Sequence, residues 1–266
     1  MNSQVIYPDL GGKVAIVTGG SKGVGRTIAL HLAKQQVNVV TCARTPLADA
    51  VANPSKEELE NHVVCDVRDP LQVAKVVEFA LNNFGSLDLL VNNAGGSPHS
   101  MVSDASANYL NKIILLNLTA PLYFAKEANS IMQLQPTGGV IINIGSVSGT
   151  RPSPGTAAYG AAKAGLENLT QSLAVEWAPK TRVNCIVAGP ILTEQAQLHF
   201  GDARGVEQVA QTIPMGSMAS PDDIGKAVCW LSSDQASYIT GASLLIHGGG
   251  EKPLWMSAST AKLTGH

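Results

Sequence analysis

Short apolar runs rich in β-branched residues recur along this chain, each separated from the next by a helical stretch. The first run covers residues 13–18 (Lys-Val-Ala-Ile-Val-Thr), and others follow at 37–42, 63–65, 87–91, 140–144, 182–187 and 243–246. Between them, helical spacing of apolar residues covers 27–36, 71–84, 105–134 with a kink at Pro121, 157–177 and 221–231. Asp69 and Pro70 suit the start of the 71–84 helix, because proline is tolerated in a first turn. Nearly all the strands are apolar on both faces, which is the pattern of a parallel sheet covered by helices on both sides. The chain has 266 residues, 45% of them hydrophobic and 14% charged, so it has material for one large core. No Pro/Ser-rich linker and no internal repeat divides it. We expect one domain over residues 1–254 and a flexible tail over 255–266.

The formal net charge is −2 and no basic or acidic run occurs. That argues against a nucleic-acid groove and against a polybasic membrane patch. No apolar run reaches the ~18–20 residues that span a bilayer, and residues 1–10 lack the charged and apolar regions of a secretory signal. The four cysteines (Cys42, Cys65, Cys185 and Cys229) have no CxxC spacing and sit in apolar surroundings. Buried free thiols and a reducing, cytoplasmic setting are expected. The six histidines form no pair with ligand spacing, so no metal is expected.

The first strand ends in Thr18-Gly19-Gly20-Ser21-Lys22-Gly23-Val24-Gly25, with glycines 19, 23 and 25 in GxxxGxG spacing. A glycine-rich turn between strand and helix lets backbone N–H groups and the positive helix end approach a pyrophosphate. With it, the alternation describes an α/β fold: a single-domain, Rossmann-type, doubly wound parallel sheet of about seven strands flanked by helices. A site for NAD usually has a carboxylate at the end of strand two. This chain reads Thr41-Cys42-Ala43-Arg44 there, with Lys22 inside the turn. Two cations and no acid suit a 2′-phosphate, hence NADP(H).

Tyr159 and Lys163 lie four apart on one helix and share a face. A phenol is a poor base at neutral pH unless its environment shifts its pKa. Ser146 follows the fifth strand, and Asn92-Asn93-Ala94-Gly95 follows the fourth, both at the carboxyl edge where ligands bind in such sheets. Asn117 interrupts an apolar stretch and needs hydrogen-bond partners if buried.

In this order, these motifs resemble the short-chain dehydrogenase/reductase family, in its compact single-domain branch, over about residues 12–250. The resemblance implies hydride transfer between NADP(H) and a carbonyl or secondary alcohol. It makes Tyr159 the acid/base, Ser146 the donor to the substrate oxygen, and Lys163 the group that lowers the Tyr159 pKa and holds the nicotinamide ribose. Asn117 would position a water behind Lys163. Asp66 and Val67 would frame the adenine, and Asn92, Ala94 and Gly95 would line the cofactor path beside Gly19, Ser21, Lys22, Gly23, Val24, Gly25 and Arg44. Gly189-Pro190 stands where the family more often has Pro-Gly, and Pro190, Ile191 and Thr193 would lie near the carboxamide. His247-Gly248-Gly249 stands where Asp-Gly-Gly is common. The resemblance also implies a homotetramer, or a dimer, built through long helices; apolar Leu166, Leu169, Leu173, Val175 and Trp177 suit that.

The substrate, a small carbonyl or alcohol, should meet residues 96–103, 147–157 and 192–214. Phe200, Val206, Val209, Ile213 and Leu198 make the last segment either a lid or an ordinary covering helix. His99 either touches a ligand or is solvated; Arg151 either attracts an anion or faces water. A ketone or 3-oxoacyl-type reductase is the expected activity. An NAD-dependent alcohol dehydrogenase and a non-catalytic dinucleotide sensor are the alternatives.

Overall fold

Among the described residues, seven strands form one parallel sheet in the order β3-β2-β1-β4-β5-β6-β7. They are β1 Val14–Thr18, β2 Asn38–Ala43, β3 His62–Val64, β4 Leu89–Asn92, β5 Gly139–Ser146, β6 Thr181–Ala188 and β7 Ser243–Ile246. The structure is a computed structural model that describes residues 5–194, 196–253 and 258–260. Most of the expected tail, 255–257 and 261–266, lies outside the described residues, as does the side chain of Leu198.

The doubly wound arrangement follows from the strand composition. All five residues of β1 are buried. Val14 and Ile16 join a core with Val73, Phe124 and Leu173, whereas Ala15 and Val17 join one with Ile28, Leu32 and Val228. Alternate residues of a strand therefore feed cores on opposite faces. Helices α1 (Gly23–Lys34) and α7 (Pro221–Ser232) cover one face; α2 (Pro70–Phe84), α4 (Ala120–Met132) and α5 (Ala157–Trp177) cover the other. Between them in sequence lie α3 (Ala107–Ile114) and α6 (Ala203–Thr212).

Two departures from the sequence expectation matter for the site. The helix expected over 105–134 breaks into α3 and α4 around a π-type turn, Leu115–Thr119, with Asn117 at its centre. The irregularity lies ahead of Pro121, which sits in the first turn of α4, where its missing N–H costs little. Second, β5 and β6 pair along their whole length, from Gly139 against Thr181 to Ser146 against Ala188. Ser146 is therefore the last rung of the sheet, held by backbone rather than carried on a loop.

On α5, Leu166 and Leu173 are buried, and Leu169 and Trp177 pack against the core. Of the five apolar residues expected to face a partner, only Val175 is fully exposed. No helix among the described residues is long and apolar enough to cross a membrane. All four cysteines are buried and free.

Candidate active site

A cleft runs along the carboxyl edge of the sheet, and its two halves share Val24, Asn93, Gly95 and Thr193. The first half is built on the turn after β1. Gly19 and Gly23 have φ of 68° and 54°, a region other residues rarely adopt. A Cβ on Gly25 would run into the Gly19 carbonyl and the Asn93 amide. The Thr18 hydroxyl accepts hydrogen bonds from the N–H groups of Asn93 and Ala94, both at 2.9 Å, so the ends of β1 and β4 are tied together. Ser21, Lys22, Gly23, Val24, Gly25 and Arg44 all line this half. A cradle that a side chain would fill, under a helix N-terminus, fits the diphosphate of a dinucleotide.

Asp66 and Val67 close the far end. Arg68 binds the Asp66 carboxylate through Nε at 2.9 Å and Nη2 at 2.5 Å, and this hydrogen bonding holds the carboxyl below its usual pKa range. Glu194, on the segment after β6, accepts a hydrogen bond from the Gly23 N–H at 2.9 Å. A carboxylate of the chain thus lies on a donor of the anion cradle.

The second half holds Ser146, Tyr159 and Lys163. The Ser146 hydroxyl lies near enough to the Tyr159 phenol to act on its pKa. The Lys163 ammonium lies 5.6 Å from the centroid of the Tyr159 ring and donates to the Ile144 carbonyl at 2.7 Å. Burial raises the Tyr159 phenol above its ordinary pKa, and the Ser146 hydroxyl offsets that in part. Burial brings the Lys163 ammonium down to about 8. Desolvation rather than the lysine governs the phenol here, which leaves Tyr159 a protonated donor at neutral pH. A substrate oxygen between the two hydroxyls would receive two hydrogen bonds.

Asn117 is fully buried and lies behind the cleft. Its Oδ1 accepts from the Gly96 N–H at 2.8 Å, and its Nδ2 donates to the carbonyls of Gly96 and Ile113 at 3.0 and 2.9 Å. The π-type turn frees the helix backbone for this bonding. A Cβ on Gly95 would come within 2.7 Å of Asn117 Oδ1 and 3.5 Å of Lys163 Nζ, so a side chain at this position would crowd both groups.

Of the remaining expected residues, Ala94 lines the first half, Pro190 and Ile191 line the second, and Thr193 lines both. Asn92 does not line the cleft. It is buried beside the sheet, where its amide donates to the Pro121 carbonyl and to Asn143 Oδ1. Asn93 faces the cleft instead. Neighbouring residues of a strand point to opposite sides, so the doublet gave no means of choosing. Arg68 and Glu194 were also missed; proximity to Asp66 and to Thr193 was the only signal for either. His99, Arg151, His199 and Phe200 all reach the second half.

Residues 19–251 match the family described as Enoyl-(Acyl carrier protein) reductase. The chain is 33% identical over 252 residues to glucose 1-dehydrogenase 2 of Bacillus subtilis (strain 168), covering 92% of this chain and 96% of the relative. It is 35% identical over 251 residues to 3beta-hydroxysteroid dehydrogenase 1 of Eggerthella lenta, covering 92% and 95%. Among solved structures, the ligand-free aldohexose dehydrogenase of Thermoplasma acidophilum superposes with a TM-score of 0.85 at 29% identity, covering 98% of this chain and all of that one. A short-chain dehydrogenase/reductase of Serratia marcescens superposes with a TM-score of 0.80 at 32% identity, covering 91% of this chain and 98% of that one. The chain belongs to the short-chain dehydrogenase/reductase family, oxidoreductases of CH–OH and C=O groups that use nicotinamide dinucleotides.

Proposed function

We propose that this protein is an NADP(H)-dependent oxidoreductase that interconverts a carbonyl and a secondary alcohol, working as a reductase of a ketone or 3-oxoacyl-type substrate. One observation carries the reading: Ser146, Tyr159 and Lys163 together line a cleft that continues into the glycine-rich cradle. The names of its relatives support CH–OH/C=O chemistry. When bound, the nicotinamide would supply or take up the hydride. Gly19, Ser21, Gly23, Val24 and Gly25 would hold the diphosphate, Lys22 and Arg44 the 2′-phosphate, and Asp66, Val67, Ala94 and Gly95 the adenine end and the path between. Binding there displaces Glu194 from the Gly23 N–H. Pro190, Ile191 and Thr193 would border the nicotinamide.

Tyr159 and Ser146 bind the carbonyl oxygen, and their hydrogen bonds strengthen as negative charge develops on it. Tyr159 then gives its proton to that oxygen; its raised pKa keeps the proton available. Lys163 holds positive charge beside the Tyr159 ring; its ammonium returns a proton to the phenolate and regains one from solvent, while Asn117 anchors the Gly96 backbone. In the oxidative direction the same proton moves back to Tyr159. The reading includes a single domain and a cytoplasmic homotetramer or dimer.

The test of cofactor choice is a fluorescence titration with NADPH and NADH on wild type and Arg44→Ala. A charged hydrogen bond contributes ~1.5–3 kcal/mol, so the variant should lose about ten- to a hundredfold of its NADPH affinity and little for NADH. Equal binding of the two cofactors by wild type would overturn the 2′-phosphate assignment and leave the Tyr159 chemistry standing.

The Lys163 value has a kinetic consequence. The kcat/KM profile reports groups of the free enzyme, so it should fall as pH rises through about 8, where the ammonium is lost. In Lys163→Arg, which stays charged, that basic limb should vanish even if the rate is lower throughout. A wild-type profile flat across this region would remove Lys163 from the proton path.

A further inference from the structure

Arg151 stands on the segment between Ser146 and Tyr159 and lines the substrate half of the cleft, together with His99 and His199. Among the described residues lining that half there is no aspartate or glutamate. Arg151 nevertheless holds a carboxylate. Its Nη2 donates to Glu251 Oε1 at 2.5 Å, while its Nη1 donates to the Pro152 carbonyl at 3.1 Å and so fixes the guanidinium to its own loop.

Glu251 reaches this position from a hundred residues further along the chain. It follows three consecutive left-handed glycines, Gly248, Gly249 and Gly250, with φ of 63°, 94° and 86°. On its other side, Lys252 is tied to α6: its N–H donates to the Thr212 carbonyl at 2.9 Å and its ammonium to the Gln211 carbonyl at 3.0 Å. The ion pair is open to water, with side-chain exposures of 40% for Arg151 and 42% for Glu251. An ion pair this exposed contributes little to stability, so another carboxylate can replace Glu251 at small cost.

We propose that Arg151 is an anion subsite of the substrate cleft, that the substrate carries a carboxylate as well as its reacting carbonyl or alcohol, and that Glu251 stands in for that carboxylate. This rests on reading the cleft as the site of carbonyl–alcohol chemistry. A guanidinium presents a planar fork of donors, which binds a carboxylate with direction as well as charge. Holding one end of the substrate at Arg151 presents the other end to Ser146 and Tyr159, and restricting orientation in this way is a source of rate. Glu194 does the same in the other half of the cleft. Each of the two carboxylates of the chain covers a donor that a ligand anion would use.

A purely structural latch would also pair Arg151 with Glu251, but the two readings differ in sign. Breaking a latch has the same effect from either side. In a subsite, removing Arg151 weakens carboxylate binding, and removing the Glu251 charge strengthens it. The experiment is calorimetric titration of the full-length protein with hexanoate and with hexanamide, on wild type, Arg151→Met, Arg151→Lys and Glu251→Gln. Wild type should prefer hexanoate by about tenfold or more, as one charge-assisted hydrogen bond supports. Arg151→Met should erase that preference, Arg151→Lys should keep part of it, and Glu251→Gln should tighten hexanoate severalfold without moving hexanamide. No preference in wild type, a preference retained in Arg151→Met, or equal shifts in Arg151→Met and Glu251→Gln would each overturn the subsite. Turnover of 5-oxohexanoate and its methyl ester separates this from the broader reading. Equal turnover of both with no binding preference keeps the reductase and removes the subsite. A binding preference with turnover of neither keeps the subsite and removes the reductase.

Discussion

Tyr159→Phe should lower turnover of any carbonyl substrate by about 10²–10⁴-fold, the usual contribution of a positioned acid/base, while leaving cofactor affinity within about twofold of wild type. The substitution deletes one oxygen and keeps the ring beside the Lys163 ammonium, which lies 5.6 Å from its centroid. Ser146 stays in place, because it is the last rung of the β5–β6 pairing and accepts from the Ser148 N–H at 3.2 Å. What disappears is the proton donor and one of two hydrogen bonds to the developing alkoxide. The cofactor cradle is made by other residues, so NADPH titration of the variant reports folding and binding separately from chemistry. Retention of wild-type turnover would remove Tyr159 from the mechanism. A parallel collapse of cofactor binding would mean the variant is misfolded, and Tyr159→Trp or Ser146→Ala would then be needed to locate the donor.

The second large effect is on stability. Phe124 is 1% exposed and sits on α4 in the core that also holds Ile16, Val73 and Leu173. Truncating a fully buried phenylalanine costs ~3–5 kcal/mol, partly as lost transfer energy and partly as the cavity that remains. Phe124→Ala should therefore shift the urea midpoint with little change in slope, and lower Tm by roughly 10 °C for a chain of this size. A loss below about 1 kcal/mol would mean that α4 collapses into the gap. Activity should fall as well, at temperatures where the variant is still folded. The Pro121 carbonyl of α4 holds Asn92, and the π-type turn ahead of it holds Asn117.

Much of the fold is decided by local rules. Strands that are apolar on both faces belong inside a parallel sheet wherever they occur, so the seven runs marked out seven strands to within a few residues. The glycines of 19–25 are demanded by backbone conformation and close approach, and both are local properties. Tyr159 and Lys163 share a face because a helix repeats every 3.6 residues. Ser146 comes to them because β5 ends beside the start of α5.

Other features depended on residues far apart in the chain. The expected helix over 105–134 is a good local pattern, yet the backbone departs from it at Asn117, whose side chain bonds to Gly96 on a different segment. Asn92 and Asn93 are chemically identical neighbours, and only the packing of α4 beside β4 assigns one to the interior and the other to the cleft. The apolar excess on α5 looked like a surface for a partner, but the core absorbs most of it. Glu194 meets Gly23 across 171 residues, and Arg151 meets Glu251 across 100. No periodicity or spacing links such pairs, because chain closure over those distances is set by the whole sheet. Composition, period and turn chemistry thus determined the sheet and the glycine-rich turn, and placed Ser146, Tyr159 and Lys163 at one edge of that sheet. The tertiary structure alone decided which polar side chains share the cleft, since long-range contacts exist only once every strand is in register.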